Sequence, residues 1–490
     1  MAEQKKNQGS PSSAYEAMRE DWCLIDDIMA GARRIRACGE KYLPRFEEET
    51  HEEYKRRLAV SPWRPEFADA LRNLASKPFD NEVALAEGAS QSIKDIAEDV
   101  DARGSNLTAF SREVFKGGIQ RGMHAILVDF PEMDPQATRA DERRAGARPY
   151  WVTVAATDIL ALYIGMVDGK EAVVHLRLRE NSIERDGYGE KTVERVREFN
   201  AAPGTVPEWV LWRKVKGADG KETWGEERRG FIRRGEKTTI PLALFWTGER
   251  HGEQMVQPPL IDLAQMQIEL YQSMSRKEEI LTFAGSPMLK GKGFKKPTEG
   301  TVSVGPKCVV FAPPGENGAE TDFDFIQPNA ANIKEIREDI EGIIADMKRL
   351  GMQPLTPKSG NVTATTTSVE AAKAHSAVEC WALGLKDVLE QAFVFTAEWL
   401  KEEPTVEVIV DTDFAVEPFA QAPLDALNKA RERKDISQRT YWGGLKRFGV
   451  LPQDHDADAE EEAIASEGEA PVPEIIIDPI TGQPVVPPAA

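Results

Sequence analysis

The chain has 490 residues, 41% of them hydrophobic, and a formal net charge of −20. That length supports several structural units at roughly 100–200 residues each, while the charge argues against a broad basic surface that grips phosphates. Four scattered cysteines (Cys23, Cys38, Cys308 and Cys380) have no paired spacing, which argues against a disulfide framework or a thiolate zinc site. Likewise, no apolar run reaches the roughly 20 residues of a membrane span, and the opening MAEQKKNQGSPSS has no signal-peptide core.

Residues 1–14 are polar and predict a disordered arm. Tyr15, Met18, Trp22, Ile25 and Met29 then recur at spacings of three and four, predicting an amphipathic helix interrupted at Gly31. Further helices are predicted at 47–58, 66–75, 90–100 and 107–121, with a buried strand at 125–130. After a charged loop, short β patterns follow at 150–154, 161–167, 172–180, 191–199, 208–214 and 230–241. They are punctuated by Asp168-Gly169, Asp186-Gly187 and Asp219-Gly220 turns. The chain changes character at Pro258-Pro259, where a first-turn proline opens a long helix carrying Leu260, Ala264, Ile268, Tyr271 and Met274. Residues 284–330 read as short strands and turns. Ile333, Ile336, Ile340, Ile343, Met347 and Leu350 form the seam of a second long helix, ended by Gly351. A Thr-, Pro- and Gly-rich loop precedes a third long helix at 367–402 with Val378, Trp381, Leu385, Leu389 and Phe393. A strand at 405–410 and two shorter helices, 422–433 and 437–448, complete an α+β chain. Beyond Leu451 there is no Lys or Arg, and the acidic, Pro-rich tail predicts disorder.

Catalytic constellations are missing from this pattern. None of the six histidines pairs at the spacing of a helical zinc site. Gly291-Lys292-Gly293 lacks both the spacing and the following Ser or Thr of a phosphate loop, and no GxSxG elbow supplies a nucleophile. The carboxylates Asp411 and Asp413 alternate on a predicted strand without further ligands, so solvated acidic surface is the favoured reading over a metal-dependent nuclease. We therefore expect no enzyme activity, no metal and no cofactor. Lys290, Lys292, Lys295 and Lys296 form a local basic patch on a Gly-rich turn.

Several stretches, in order, resemble a family of phage portal-like proteins known mainly as a domain of unknown function. They are residues 22–44 (WCLIDDIMAGARRIRACGEKYLP), 54–58 (YKRRL), 105–130 (SNLTAFSREVFKGGIQRGMHAILVDF), 148–159 (RPYWVTVAATDI) and 176–189 (LRLRENSIERDGYG). Two more are 258–289 (PPLIDLAQMQIELYQSMSRKEEILTFAGSPML) and 363–393 (TATTTSVEAAKAHSAVECWALGLKDVLEQAF). Arg276 stands where the family usually has an aspartate.

The resemblance implies a tailed-bacteriophage portal protein, a homo-oligomeric and typically dodecameric ring at one capsid vertex. It implies a wing at 15–257, stem helices at 258–283 and 331–350 around a clip at 284–330, and a tunnel loop at 351–366. A long helix and wing strand at 367–419, a crown at 420–450 and the tail at 451–490 would follow. Lys358, Ser359, Asn361 and Thr363 would meet double-stranded DNA, the clip lysines would face the packaging terminase and head-tail adaptors, and Ile333 through Leu350 would pack the stem. Capsid and scaffold proteins would be further partners, with assembly in the host cytoplasm, residence in the virion and no membrane contact. The alternative is another phage head or adaptor protein, or a nuclease.

Overall fold

The computed structural model describes residues 6–86, 88–131, 141, 144–167, 169–202, 204–216, 222–232, 234, 237–284, 288–292, 322–326, 330–351, 364–412, 421–447, 450–451 and 460–461. The fold is α+β and divides into two units, residues 1–412 and 413–490. Among the described residues no helix is long and apolar enough to cross a membrane.

The first unit opens with α1 (Ser13–Met29), whose Ser12 cap accepts the Tyr15 N–H at 3.1 Å and whose Trp22, Ile25 and Ile28 are buried. Residues 6–12 are not a loose arm: the carbonyls of Asn7 and Gln8 accept from Arg177, and the Ser12 N–H donates to Leu160. Gly31, at φ +80°, opens a short α2 (Ala32–Cys38) that hydrophobic spacing alone does not reveal. Helix α3 (His51–Val60) begins four residues later than predicted, because Thr50 and Glu53 form a reciprocal capping box. It is followed by α4 (Glu66–Ser76), α5 (Gln91–Glu98) and α6 (Leu107–Arg121), the last ended by Gly122 at φ +82°.

Two antiparallel sheets carry the β-rich part. In the three-stranded sheet β2 (Met123–Asp129) is central, flanked by β3 (Tyr150–Ala155) and by β11 (Leu242–Trp246). The five-stranded sheet runs β10 (Glu222–Phe231), β9 (Glu208–Lys216), β8 (Arg195–Asn200), β5 (Lys170–Arg179), β4 (Ile159–Val167). A side hairpin, β6 (Ser182–Asp186) with β7 (Gly189–Val193), closes at the predicted Asp186-Gly187 turn.

The structure corrects two sequence readings here. The period-2 pattern at 191–199 is shared by two strands with different partners, a division that only the hairpin turn dictates. The strand predicted at 230–241 lies instead at β10, a charged edge strand (ETWGEERRGF). Exposed edges need no apolar alternation, so its pattern gave no signal. One hydrophobic core joins Trp22 to Leu127, Leu176, Phe199, Trp209 and Leu244 across both sheets.

Small strands β12 (Glu249–Arg250) and β13 (Val256–Gln257) lead into the long helical part: α7 (Ile261–Ala284), β14 (Met288–Lys292), β15 (Asp322–Ile326), α8 (Ala330–Leu350) and α9 (Ala364–Leu400). Helix α9 lies across β11 and β2, with Val378, Leu385, Leu389 and Phe393 fully buried as predicted. Trp381, on the same predicted stripe, is partly exposed and donates its Nε1–H to the Thr247 carbonyl at 2.9 Å. Residues 408–409 form β16 (Val408–Ile409), paired with β1 (Ala84–Leu85). The second unit contains α10 (Gln421–Glu432) and α11 (Gln438–Arg447), packed on each other.

Candidate functional site: two long helices around a strand pair

Helix α7 has 24 residues and spans about 36 Å at about 1.5 Å per residue. It leads to β14, which pairs antiparallel with β15 from Met288↔Ile326 to Lys292↔Asp322, and α8 follows β15. The two helices pack side by side and run in opposite directions: a Cβ on Gly351, just past α8, would lie 3.4 Å from Leu263 near the start of α7.

Leu260, Ala264 and Tyr271 of the predicted α7 stripe are buried, but Ile268 and Met274 are only partly so. Two buried polar residues share that face, Gln267 and Ser275. The Gln267 amide accepts from the Phe67 N–H at 3.0 Å and donates to the Arg64 carbonyl at 2.7 Å, closing the start of α4, whose own cap is a proline. Ser275 meets the Ser61 hydroxyl at 2.8 Å and the Arg57 guanidinium at 3.4 Å. Arg57 in turn makes two 2.7 Å bonds to Glu49, donates to the Pro44 carbonyl, and lies over the Phe46 ring. The Arg57 bonds hold the Glu49 carboxyl below its ordinary range. A buried, bidentate pair of this kind fixes geometry more surely than it adds stability. Sequence reasoning missed Gln267 and Ser275 because polar residues on an apolar stripe carry no periodic signal.

The WCLIDDIMAGARRIRACGEKYLP stretch builds the platform beneath α7. Trp22 donates its Nε1–H to the Arg121 carbonyl, and Asp26 accepts from Gln120 and Arg121, tying α1 to the end of α6. Asp27 accepts from Arg34 at 2.6 Å, Lys41 at 3.0 Å and the Tyr42 hydroxyl at 2.7 Å, and the neighbouring Tyr42 carbonyl accepts from Gln272 of α7. Burial pushes the Asp27 carboxyl up, but the bonds from Tyr42, Arg34 and Lys41 outweigh it and hold it at about 2. These residues therefore hold helices together.

On α8, Ile340 and Met347 are buried, and Ile333, Ile336 and Ile343 partly so. Leu350, expected on the same seam, is 44% exposed, while Ile344, not singled out from sequence, is buried. The seam rotates because 3.6 residues per turn drift against a strict alternation of three and four. Arg276 is exposed on α7. Lys290 and Lys292 lie on β14; Lys295, Lys296, Lys358, Ser359, Asn361 and Thr363 lie outside the described residues, as do Cys308 and Asp413. Asp411 accepts from Asn81 at 2.6 Å. No group of three or more His, Cys, Asp or Glu among the described residues is placed to hold a metal ion. A surface pocket of about 380 Å³, lined by Tyr15, Glu16, Arg19, Cys23, Asp26 and Arg179, mixes both charge signs around the α1 platform.

Residues 259–400, the two-helix element together with α9, match the family model described as "Domain of unknown function (DUF4055)". The family resemblance read from residues 258–289 and 363–393 is borne out over that segment. No curated protein matches the chain. Solved structures similar to it include a chain of the neck of an empty gene transfer agent particle computed with C6 symmetry, at a TM-score of 0.42 and 10% identity, covering 80% of this chain and 91% of that one. A chain from the neck of the native particle computed with C12 symmetry gives 0.40 and 10%, covering 77% and 87%. One from the native gene transfer agent virion gives 0.38 and 10%, covering 87% and 98%.

Proposed function

We propose that the chain is the portal subunit of a tailed bacteriophage or phage-like particle, a non-enzymatic ring component through which double-stranded DNA passes at one capsid vertex. The observation that carries this reading is the order of elements in the family-matched segment. Two long antiparallel helices flank an antiparallel strand pair, and a 37-residue helix follows. In this reading α7 and α8 are the stem and the 284–330 segment the clip. Residues 351–366 form the tunnel loop, α9 backs it, and 420–450 is the crown. The clip lysines Lys290, Lys292, Lys295 and Lys296 face the terminase and later the adaptors, and Lys358, Ser359, Asn361 and Thr363 face DNA. Passage requires loose contact, so sparse and mobile polar groups suit the task better than a basic lining that would hold phosphates.

Sedimentation analysis of the purified protein across assembly conditions tests this reading. It predicts a large closed oligomer, twelve subunits being the expectation; monomer alone under every condition would overturn it. The adaptor alternative places the protein outside the capsid vertex, which labelling in particles distinguishes. The nuclease alternative requires magnesium-dependent cleavage lost in Asp411→Ala or Asp413→Ala.

A further inference from the structure

The recess of about 380 Å³ on the flank of α1 falls within the usual size range of small-molecule sites, about 300–1,000 Å³. Its charged groups are not equivalent. Glu16 is paired with Arg19 at 3.3 Å, and Asp26 is paired with Arg121 at 2.6 Å and accepts from Gln120 at 3.0 Å. Arg179, at the end of β5, lines the same recess and has no carboxylate within 4.0 Å among the described residues. Its guanidinium donates only to neutral oxygens, the Thr157 carbonyl at 3.3 Å and the Tyr15 hydroxyl at 3.4 Å. The Tyr15 hydroxyl in turn donates to the same Thr157 carbonyl at 3.1 Å, and the Tyr15 ring lies 5.9 Å from the guanidinium carbon, set edge-on against Trp22. Asp158, next in the chain to Thr157, feels the Arg179 charge but neither lines the recess nor reaches ion-pair distance. Most of the guanidinium donors are therefore free for a ligand.

We propose that this recess binds a single carboxylate group, with Arg179 as the residue that holds it. A guanidinium is planar and offers paired N–H donors that match the two oxygens of a carboxylate. Here the fork is fixed from behind by Thr157 and Tyr15, so little side-chain freedom is lost when a ligand arrives. Glu16 and Asp26 select against phosphate. Each is compensated by its own arginine, yet both stand in the wall of the recess and repel a dianion more strongly than a monoanion. Pro11 and Tyr15 give the recess an apolar wall for the body that carries the carboxylate. A free organic acid and the acidic side chain of a partner protein share this chemistry. The site belongs to the first unit alone and stands whether or not the chain forms rings.

Cys23 lines the recess and is exposed, and Cys380, also exposed, lies outside it, so the two thiols give a reporter and a reference within one molecule. The test follows alkylation of both by iodoacetamide, read by mass spectrometry on the full-length protein at constant ionic strength with sodium benzoate added. Benzoate should slow Cys23 several-fold and saturably, with a Kd on the order of 1 mM as suits one charge-assisted contact, and leave Cys380 unchanged. Benzamide, of the same shape without the charge, and inorganic phosphate should protect far less. Arg179→Gln should lose the protection, and Arg179→Lys, which keeps the charge but not the fork, should retain only part of it. Melting midpoints show whether each variant is folded; if Arg179→Gln is not, the comparison of benzoate with benzamide on the unaltered chain decides alone. The peptide acetyl-Ala-Glu-Ala-amide separates the two sources, since protection by it indicates an acidic side chain of a partner and protection by benzoate alone a free acid. The proposal is overturned if neither benzoate nor the peptide protects Cys23, if benzamide or phosphate protects as well as benzoate, or if protection survives in folded Arg179→Gln.

Discussion

At the scale of single residues, the sequence stretches that carry the family resemblance turn out to be joints. Asp27 gathers Arg34, Lys41 and Tyr42 around one buried carboxylate. Its folded value of about 2 lies below the ordinary 3.8. Its contribution is therefore complete above about pH 4 and fades as pH falls toward 2. Asp27→Asn should cost about 2 kcal/mol at neutral pH and flatten the acid limb of a urea-midpoint titration between pH 4 and 2. An unchanged acid limb would contradict the joint. His124 shows the opposite chemistry. It is buried with neither ring nitrogen partnered, and burial, with Arg121 nearby, lowers it to about 3. The folded protein thus penalises its protonation, and stability drains as pH falls from about 6.5 toward 3. His124→Phe should remove that dependence at little cost at pH 7, measured by the same titration. The Gly117-Gly118 pair explains why the imidazole has so little room. A Cβ at either glycine would come within 2.4 Å of His124 or Phe245, so both positions admit only glycine against the sheet.

At the scale of elements, periodicity was informative wherever a helix lies on the body. The α1 positions Trp22 and Ile25 and the α9 positions Val378, Leu385, Leu389 and Phe393 are buried as their spacing indicates. Three features were not legible. Gln267 and Ser275 act through hydrogen bonds to elements some 200 residues away, which no local pattern encodes. The charged edge strand β10 lacks alternation because neither of its faces is buried, and the short α2 depends on the backbone of Gly31 rather than on an apolar stripe. The α8 seam was legible in part, and it divides by function. Ile340 packs inside the chain, so Ile340→Asp should bury an unpaired charge and lower stability by about 3 kcal/mol or more. Leu350→Asp, at an exposed position, should leave the subunit's unfolding midpoint nearly unchanged. If Leu350 meets a neighbouring copy in a ring, that substitution weakens assembly instead. Chemical denaturation of the two variants side by side separates these roles, and equal losses would contradict the burial pattern.

At the scale of the whole molecule, net charge alone is a poor guide. About half of the −20 resides after residue 451, so residues 1–451 are only moderately acidic. What the sequence made legible at this scale was the succession of a long helix, a β insertion and two further long helices, which amphipathic stripes and Gly and Pro punctuation mark clearly. The surfaces that a ring would bury were not legible, because a residue that would meet another copy looks like any exposed side chain in a single chain. Tyr188 and Ile183 on the β6–β7 hairpin and Met166 at the end of β4 are exposed apolar side chains of this kind, with nothing in the single chain to say what covers them. The most direct measurement is electron microscopy of the purified full-length protein. The account predicts top views of closed rings with a central channel and a single rotational symmetry. A uniform field of isolated monomers, under conditions where the chain is folded, would contradict it.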